Sequence, residues 1–215
     1  MSNLKAPLTT SDMGRILRQV ASDLKEHVEE LRQLDAQLGD GDLGVTVNLF
    51  TQGLVGYLDQ TDEADMGVFL AQCGLRINKM NPSTFGTILA VAFMGAGKAV
   101  RGKHQIDLND LALMGESAVE AVQKRGKAQL GDKTLLDALI PAVEALKQAI
   151  RDGADPRTAF AAATVAAEHG MKATAAMTSK IGRAKMFGAR SLGIQDGGAT
   201  AVYYMIESFC RNLFV

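Results

Sequence analysis

Eight stretches of this 215-residue chain repeat apolar residues at steps of three and four. That spacing lays an apolar stripe along a helix, and such a stripe must be buried against neighbouring elements. The first stretch is the clearest. Ile16, Leu17, Val20, Leu24, Val28, Leu31 and Leu34 line one face, while Lys25, Glu26, Glu29, Glu30 and Arg32 occupy the others. Thr9, Thr10 and Ser11 offer N-caps for it, with Asp12 in the first turn. His27, set among these charges, reads as a surface residue. Further helices are predicted over 45–58, 66–79, 87–100, 108–124, 132–150, 156–177 and 199–213. Asp107 caps one start, Asp132 or Thr134 another, and Asp155-Pro156 a third. Pro141 is expected to kink its helix or to sit where the helix is locally irregular. Aromatics make up 5% of the chain and Trp is absent, which favours helices over sheets, and no strand is predicted. Most connections are short, so successive helices should pack antiparallel. The expectation is an all-α fold, an eight-helix antiparallel up-and-down bundle, with residues 1–215 as one domain.

Several function classes are disfavoured. The formal net charge is −1 with no basic stripe, so nucleic acid is not an expected partner. Cys73 and Cys210 are too few and too far apart for a zinc motif or a disulfide framework. The most apolar run, Phe85 to Ala96, is too short to cross a bilayer, and no membrane association is expected. Met1 to Thr10 lacks the apolar core of a signal peptide, so the expected location is the cytoplasm.

The loops are more informative than the helices. Leu34-Asp35-Ala36-Gln37-Leu38-Gly39-Asp40-Gly41-Asp42-Leu43-Gly44 places three aspartates within eight residues. Carboxylates held together persist only if solvated, protonated or neutralised by a cation. Oxygen-only ligands suit magnesium or calcium rather than zinc. The alternative is a solvated Asp-Gly turn between helices. The stretch formally fits G-x-G-x-x-G, but the required preceding strand is missing and its aspartates would repel phosphate. EF-hand spacing is absent. The second loop, 78–87, brings Ser83, Thr84 and Thr87 to a helix N-terminus, which favours an anion or is ordinary capping. Gly95-Ala96-Gly97-Lys98 resembles a Walker A tail but lacks its first glycine and its hydroxyl residue. The third loop carries Gly131-Asp132-Lys133-Thr134, and the fourth, 178–198, is glycine-punctuated and basic, with Lys180, Arg183, Lys185 and Arg190. In an alternating bundle these four loops follow the first, third, fifth and seventh helices and share one end. Acidic ligands for a hard cation, phosphate donors and cationic side chains are the parts of a phosphoryl-transfer site.

Three blocks then carry a specific resemblance. Asp35 with Gly39-Asp40-Gly41-Asp42-Leu43-Gly44, Gly126 through Ala142 with Gly131-Asp132-Lys133-Thr134-Leu135-Leu136-Asp137, and Gly182 through Thr200 with Gln195-Asp196-Gly197-Gly198 occur in one order across nearly the whole chain. Together they resemble the nucleotide-binding L subunit of the dihydroxyacetone kinase family. The resemblance implies an eight-helix barrel with ADP or ATP at one end. It implies that Asp35, Asp40 and Asp42 hold two Mg²⁺ that bridge to the phosphates. Ser83 and Thr84 would cap those phosphates, Thr134 and Leu135 would lie near the nucleotide, Arg183 would act at its phosphates, and Asp196-Gly197 would lie near its base or ribose. The ketose would be held by a separate K-type subunit, and this chain would be a kinase only with that partner. The phosphate donor would be ATP or a phosphotransferase-system protein, and a homodimer is left open. Two departures from the family pattern stand out: Leu43, where histidine or threonine is common, and Met80-Asn81-Pro82-Ser83-Thr84, where a glycine/serine-rich loop is usual. A competing reading is a nucleotide-sensing regulatory module that transfers no phosphate, and a third is a structural helical bundle.

Overall fold

The computed structural model describes residues 7–80 and 83–215 and, among these, contains nine α-helices and one pair of very short strands. The helices are α1 Thr10–Glu26, α2 Val28–Leu38, α3 Leu43–Leu58, α4 Met66–Met80, α5 Thr84–Ala99, α6 Leu108–Gly126, α7 Leu136–Arg151, α8 Pro156–Ala173 and α9 Gly197–Asn212. The strands, β1 Leu8–Thr9 and β2 Gln105–Ile106, pair antiparallel and were not predicted. They are too short to show a period-two pattern.

Helix starts follow local chemistry. Thr9 caps α1 in a reciprocal capping box with Asp12, and Asp107 does the same for α6 with Asp110. Asp155 caps α8, with Pro156 at its first position. The first predicted helix is in fact two. It breaks at His27, whose N–H still bonds the Leu24 carbonyl. The ring of His27 stacks on Tyr204 of α9 with centroids 3.6 Å apart, and the Tyr204 hydroxyl donates to Glu30 of α2. Counting α1 and α2 as one jointed rod gives the eight rods that the apolar periodicity predicts. The α7 helix continues through Pro141. Pro141 has no N–H for the Asp137 carbonyl four residues back. That carbonyl instead faces Gly170 of α8, where a Cβ would lie 1.9 Å from it.

Each rod packs on the next: α3 on α1 and α2, α4 on α3, and so on to α9 on α8. Contacts of α9 with α1 and α2 close the ring. That closing seam includes a polar knot. Asp23 of α1 accepts from Ser208 Oγ at 2.6 Å and from Arg211 of α9. The core is aliphatic, with Ile16, Leu24, Val47, Phe50, Phe69 and Ile77 among its most buried members. An apolar cavity of about 260 Å³ runs among Met13, Leu17, Phe93, Met114, Phe160 and Phe209. Among the described residues no helix is long and apolar enough to cross a membrane.

The long fourth loop is not irregular throughout. The helix predicted to run to 177 ends at Ala173 and passes into a 3-10 turn over Thr174–Ala176, and within the loop itself Arg183–Ser191 forms 3-10 turns interrupted at Gly188 with φ +52. Three-residue turns leave no 3.6-residue stripe, so helical periodicity missed them.

Candidate functional site

The end of α2 and the start of α3 are shaped by close backbone approaches. A Cβ on Gly39 would lie 2.7 Å from Asp35 Oδ1 and 3.1 Å from the Asp35 carbonyl, so a side chain there would push the Asp35 carboxylate from its place. Gly41 takes φ +73, a left-handed conformation that favours glycine. The turn brings Asp40 and Asp42 back beside Asp35, and carboxylate oxygens from all three lie within 4.8 Å of one another. Asp42 occupies the N-cap position of α3 but makes no side-chain capping bond, so its carboxylate is not consumed by its own helix. Asp35 accepts a long bond of 3.3 Å from the Leu43 N–H. Burial raises the Asp35 pKa, the neighbouring Asp42 and Asp40 charges raise it further, and the Leu43 N–H opposes both. A half-buried carboxyl facing two others gains most from a cation. An all-oxygen donor set of this kind fits Mg²⁺.

Arg183, from the fourth loop, reaches this cluster. Its guanidinium pairs with Asp40 and lies 3.5 Å from Asp42. The N-terminus of α9 is also at the cluster. A Cβ on Gly197 would meet Leu43 at 3.0 Å and the Asp35 nitrogen at 3.7 Å, so this helix start presses directly on the aspartate turn. Asp196 caps α9 by accepting from the Ala199 N–H at 2.7 Å. Burial pushes the Asp196 carboxyl up to about 6; Asp137 adds to the rise, while the Ala199 N–H and the Lys133 ammonium oppose it.

The third loop departs from expectation. Neither Asp132 nor Thr134 caps α7, which instead follows Leu135 in helical geometry without a side-chain cap. Asp137, inside α7 and fully buried, does the ordering by accepting from the Gly131 N–H at 2.6 Å and the Thr134 N–H at 2.7 Å. Thr134 Oγ1 accepts from the Leu136 N–H at 3.2 Å. Leu135 packs beside Gly198, so this loop and the α9 start are neighbours. The sequence reading gives Asp137 no such ordering role. Its one visible signal is an acid on the apolar stripe of a helix. Lys133 is not a free cation at the site, since it is 1% exposed and its Nζ bonds three backbone carbonyls. Arg190 lies over the Phe187 ring at 5.2 Å, so of the two loop arginines it is Arg183 that joins the aspartates.

At the second loop, Ser83 caps α5 by accepting from the Gly86 N–H at 3.0 Å, and Thr84 is the first residue of that helix. Asn81 and Pro82 of the expected phosphate-capping loop lie outside the described residues. The structure thus brings Asp35, Asp40, Asp42, Arg183 and Gly197 into contact, with Asp196, Thr134 and Leu135 adjoining. Ser83 and Thr84 are placed at this end by helix alternation alone.

Comparison with known proteins shows the family and the fold. Residues 37–211 match the DAK2 domain family. The chain is 32% identical over 179 residues to the ADP-binding subunit DhaL of the PEP-dependent dihydroxyacetone kinase of Escherichia coli, covering 83% of this chain and 85% of that one. It is 32% identical over 203 residues to a second such subunit, from Listeria innocua, covering 93% of each. Among solved structures, the dihydroxyacetone kinase of C. freundii in complex with AMP-PNP and Mg²⁺ superposes with a TM-score of 0.74 at 23% identity, over 95% of this chain and 34% of that one. This chain therefore spans about a third of that larger enzyme, and the likeness to it establishes the barrel fold.

Proposed function

The chain belongs to the DAK2 domain family, and from that premise we propose that it is the ADP- or ATP-binding subunit of a two-component kinase. The acceptor is dihydroxyacetone or a related short ketose, held by a separate K-type subunit without which the chain is inactive. Residues 1–215 serve as one nucleotide-binding domain. The observation that carries the reading is the set of three carboxylates within 4.8 Å, with Arg183 and the start of α9 against it. Asp35, Asp40 and Asp42 are the residues that would hold two Mg²⁺, which neutralise phosphate charge and orient the phosphates. Arg183 then releases its aspartate partners and binds the transferring phosphoryl group, where a planar guanidinium matches phosphate oxygens. The N-terminal N–H groups of α5, next to Ser83 and Thr84, donate to phosphate oxygens. Thr134 and Leu135 border the nucleotide, and Asp196 and Gly197 face its base or ribose. The bacterial relatives are named PEP-dependent and ADP-binding. That favours a retained ADP recharged by a phosphotransferase-system phosphodonor over exchange with free ATP.

The test combines the purified chain with a DhaK-type subunit, dihydroxyacetone and either Mg-ATP or a phosphotransferase-system donor. Sugar phosphate formed only in the complete mixture is the expected result. Calorimetric binding of Mg-ADP without any sugar phosphate would favour the regulatory reading, and no binding at all would refute both.

A further inference from the structure

Lys133 is a buried lysine. It sits in a left-handed conformation, φ +62, in the turn that Asp137 orders. Its side chain is 1% exposed, yet it carries an ammonium group. Burial lowers its pKa, while Asp196 favours the charge. The ammonium has three protons, and each has an acceptor: the carbonyls of Met177 at 3.1 Å, Ile194 at 2.6 Å and Ser191. No proton is left for a ligand. The three acceptors come from the two ends of one loop.

Between Met177 and Ser191 the chain runs out to Arg183 and returns. That excursion buries little: Met186 is 88% exposed, and only Ile181 joins an apolar cluster. Apolar burial therefore cannot fix its position. Polar bonds at the neck do so. Ser191 Oγ accepts from the Ser179 N–H at 3.0 Å and donates to the Gly188 carbonyl at 2.7 Å. The Lys180 N–H donates to Asp132 at 3.2 Å, and Lys180 Nζ donates to Gly131 at 2.9 Å. Lys133 is the only one of these groups that is buried and charged while holding both ends of the neck together. Removing it leaves three inward-facing carbonyls without a partner.

We propose that Lys133 is a positioning residue that clamps the neck of loop 177–194 and thereby holds Arg183 over the aspartate cluster. This rests on the nucleotide-binding reading and adds the element that sets its arginine. Lys133 acts through Arg183 and never touches the ligand.

The test uses Lys133→Met, Arg183→Ala and the double variant of the full chain. Affinity for Mg-ADP is measured by calorimetry, and amide hydrogen exchange is followed by mass spectrometry. If the clamp is lost and the loop holds its competent arrangement about a tenth of the time, the apparent Kd of Lys133→Met rises about tenfold. The double variant should bind no worse than the weaker single variant, because both remove one device. Exchange should rise across 177–194 and stay unchanged in α1 and α8. Wild-type affinity in Lys133→Met, effects that multiply in the double variant, or unchanged exchange in the loop would each overturn the proposal. If Lys133→Met fails to fold, Ser191→Ala loosens the same neck and should raise the loop's exchange and the Kd in the same direction. Its failure to do either overturns the clamp. A wild-type chain that does not bind Mg-ADP refutes the nucleotide reading, while the exchange comparison still judges the clamp.

Discussion

Asp35→Asn should change stability in opposite directions with and without nucleotide. The carboxylate oxygens of Asp35, Asp40 and Asp42 lie within 4.8 Å of one another. In a water-like dielectric two unit charges at that distance repel by about 0.9 kcal/mol. Asp35 faces two such neighbours, and Arg183, close to both of them, offsets part of the repulsion. Asparagine keeps the shape and retains an oxygen for the Leu43 N–H. The ligand-free variant should therefore gain about 1 kcal/mol, or about 2–4 °C in Tm for a chain of this size. With Mg-ADP at a hundred times its Kd, the wild type should gain about 2.7 kcal/mol, or about 5–11 °C. The variant should lose most of that second shift. Differential scanning fluorimetry with and without Mg-ADP measures both. A ligand-free variant that melts several degrees lower would mean that the aspartates hold the fold. A full Mg-ADP shift in the variant would mean that they do not hold the cation. Either result refutes the reasoning.

Three further outcomes are expected. Gly170→Ala would put a Cβ 1.9 Å from the Asp137 carbonyl, so α7 and α8 must separate, at a cost of about 3 kcal/mol in urea unfolding. Asp23→Ala, which cuts the knot to Ser208 and Arg211, should cost about 2 kcal/mol at pH 7. Burial works to raise the Asp23 pKa, but bonds from Ser208, Gln19 and Arg211 outweigh it and hold the carboxyl below its ordinary value. The stability it contributes is thus fully present above the unfolded pKa of about 3.9 and is lost as pH falls through the folded one. The gap between wild type and Asp23→Ala should accordingly close in acid, as pH-dependent melts will show. Burial pushes the Cys73 thiol up to about 12 and the Cys210 thiol up to about 11. The native chain should therefore resist a chromogenic disulfide reagent at pH 8 and react fully once denatured.

The bundle was legible in the sequence because its helices bury one face each, and burial of one face imposes the period read from Ile16 through Leu34. The break at His27 was hidden because the same stripe runs on through it, with no proline or glycine to mark it. At the break His27 meets a ring on α9, a contact between residues 27 and 204 that no local pattern encodes. The aspartate cluster was legible because its three ligands come from one short stretch and its turn is written in glycines. The role of Lys133 is hidden for the opposite reason. A lysine beside a glycine-rich loop looks available to phosphate, and only the tertiary fold shows the carbonyls that take all its protons. Asp137 was overlooked because its partners are backbone N–H groups, which have no letter in a sequence.

The seam between α1, α2 and α9 has a kinetic consequence. Every other rod meets its sequence neighbour, so those pairings close short loops and form early. The seam joins Asp23 to Ser208, 185 positions apart, and such a contact must wait until the intervening arc is in place. Folding should therefore proceed as an open arc that shuts last at this joint. Seam substitutions should then speed unfolding and leave the folding rate nearly unchanged. The aspartate turn lies between α2 and α3, and the start of α9 presses on it from across the same joint. The contact of the α9 start with the aspartate turn should thus form in the last step of folding and be lost early in unfolding. A ligand that bridges it should act as a latch, slowing the opening of the whole ring.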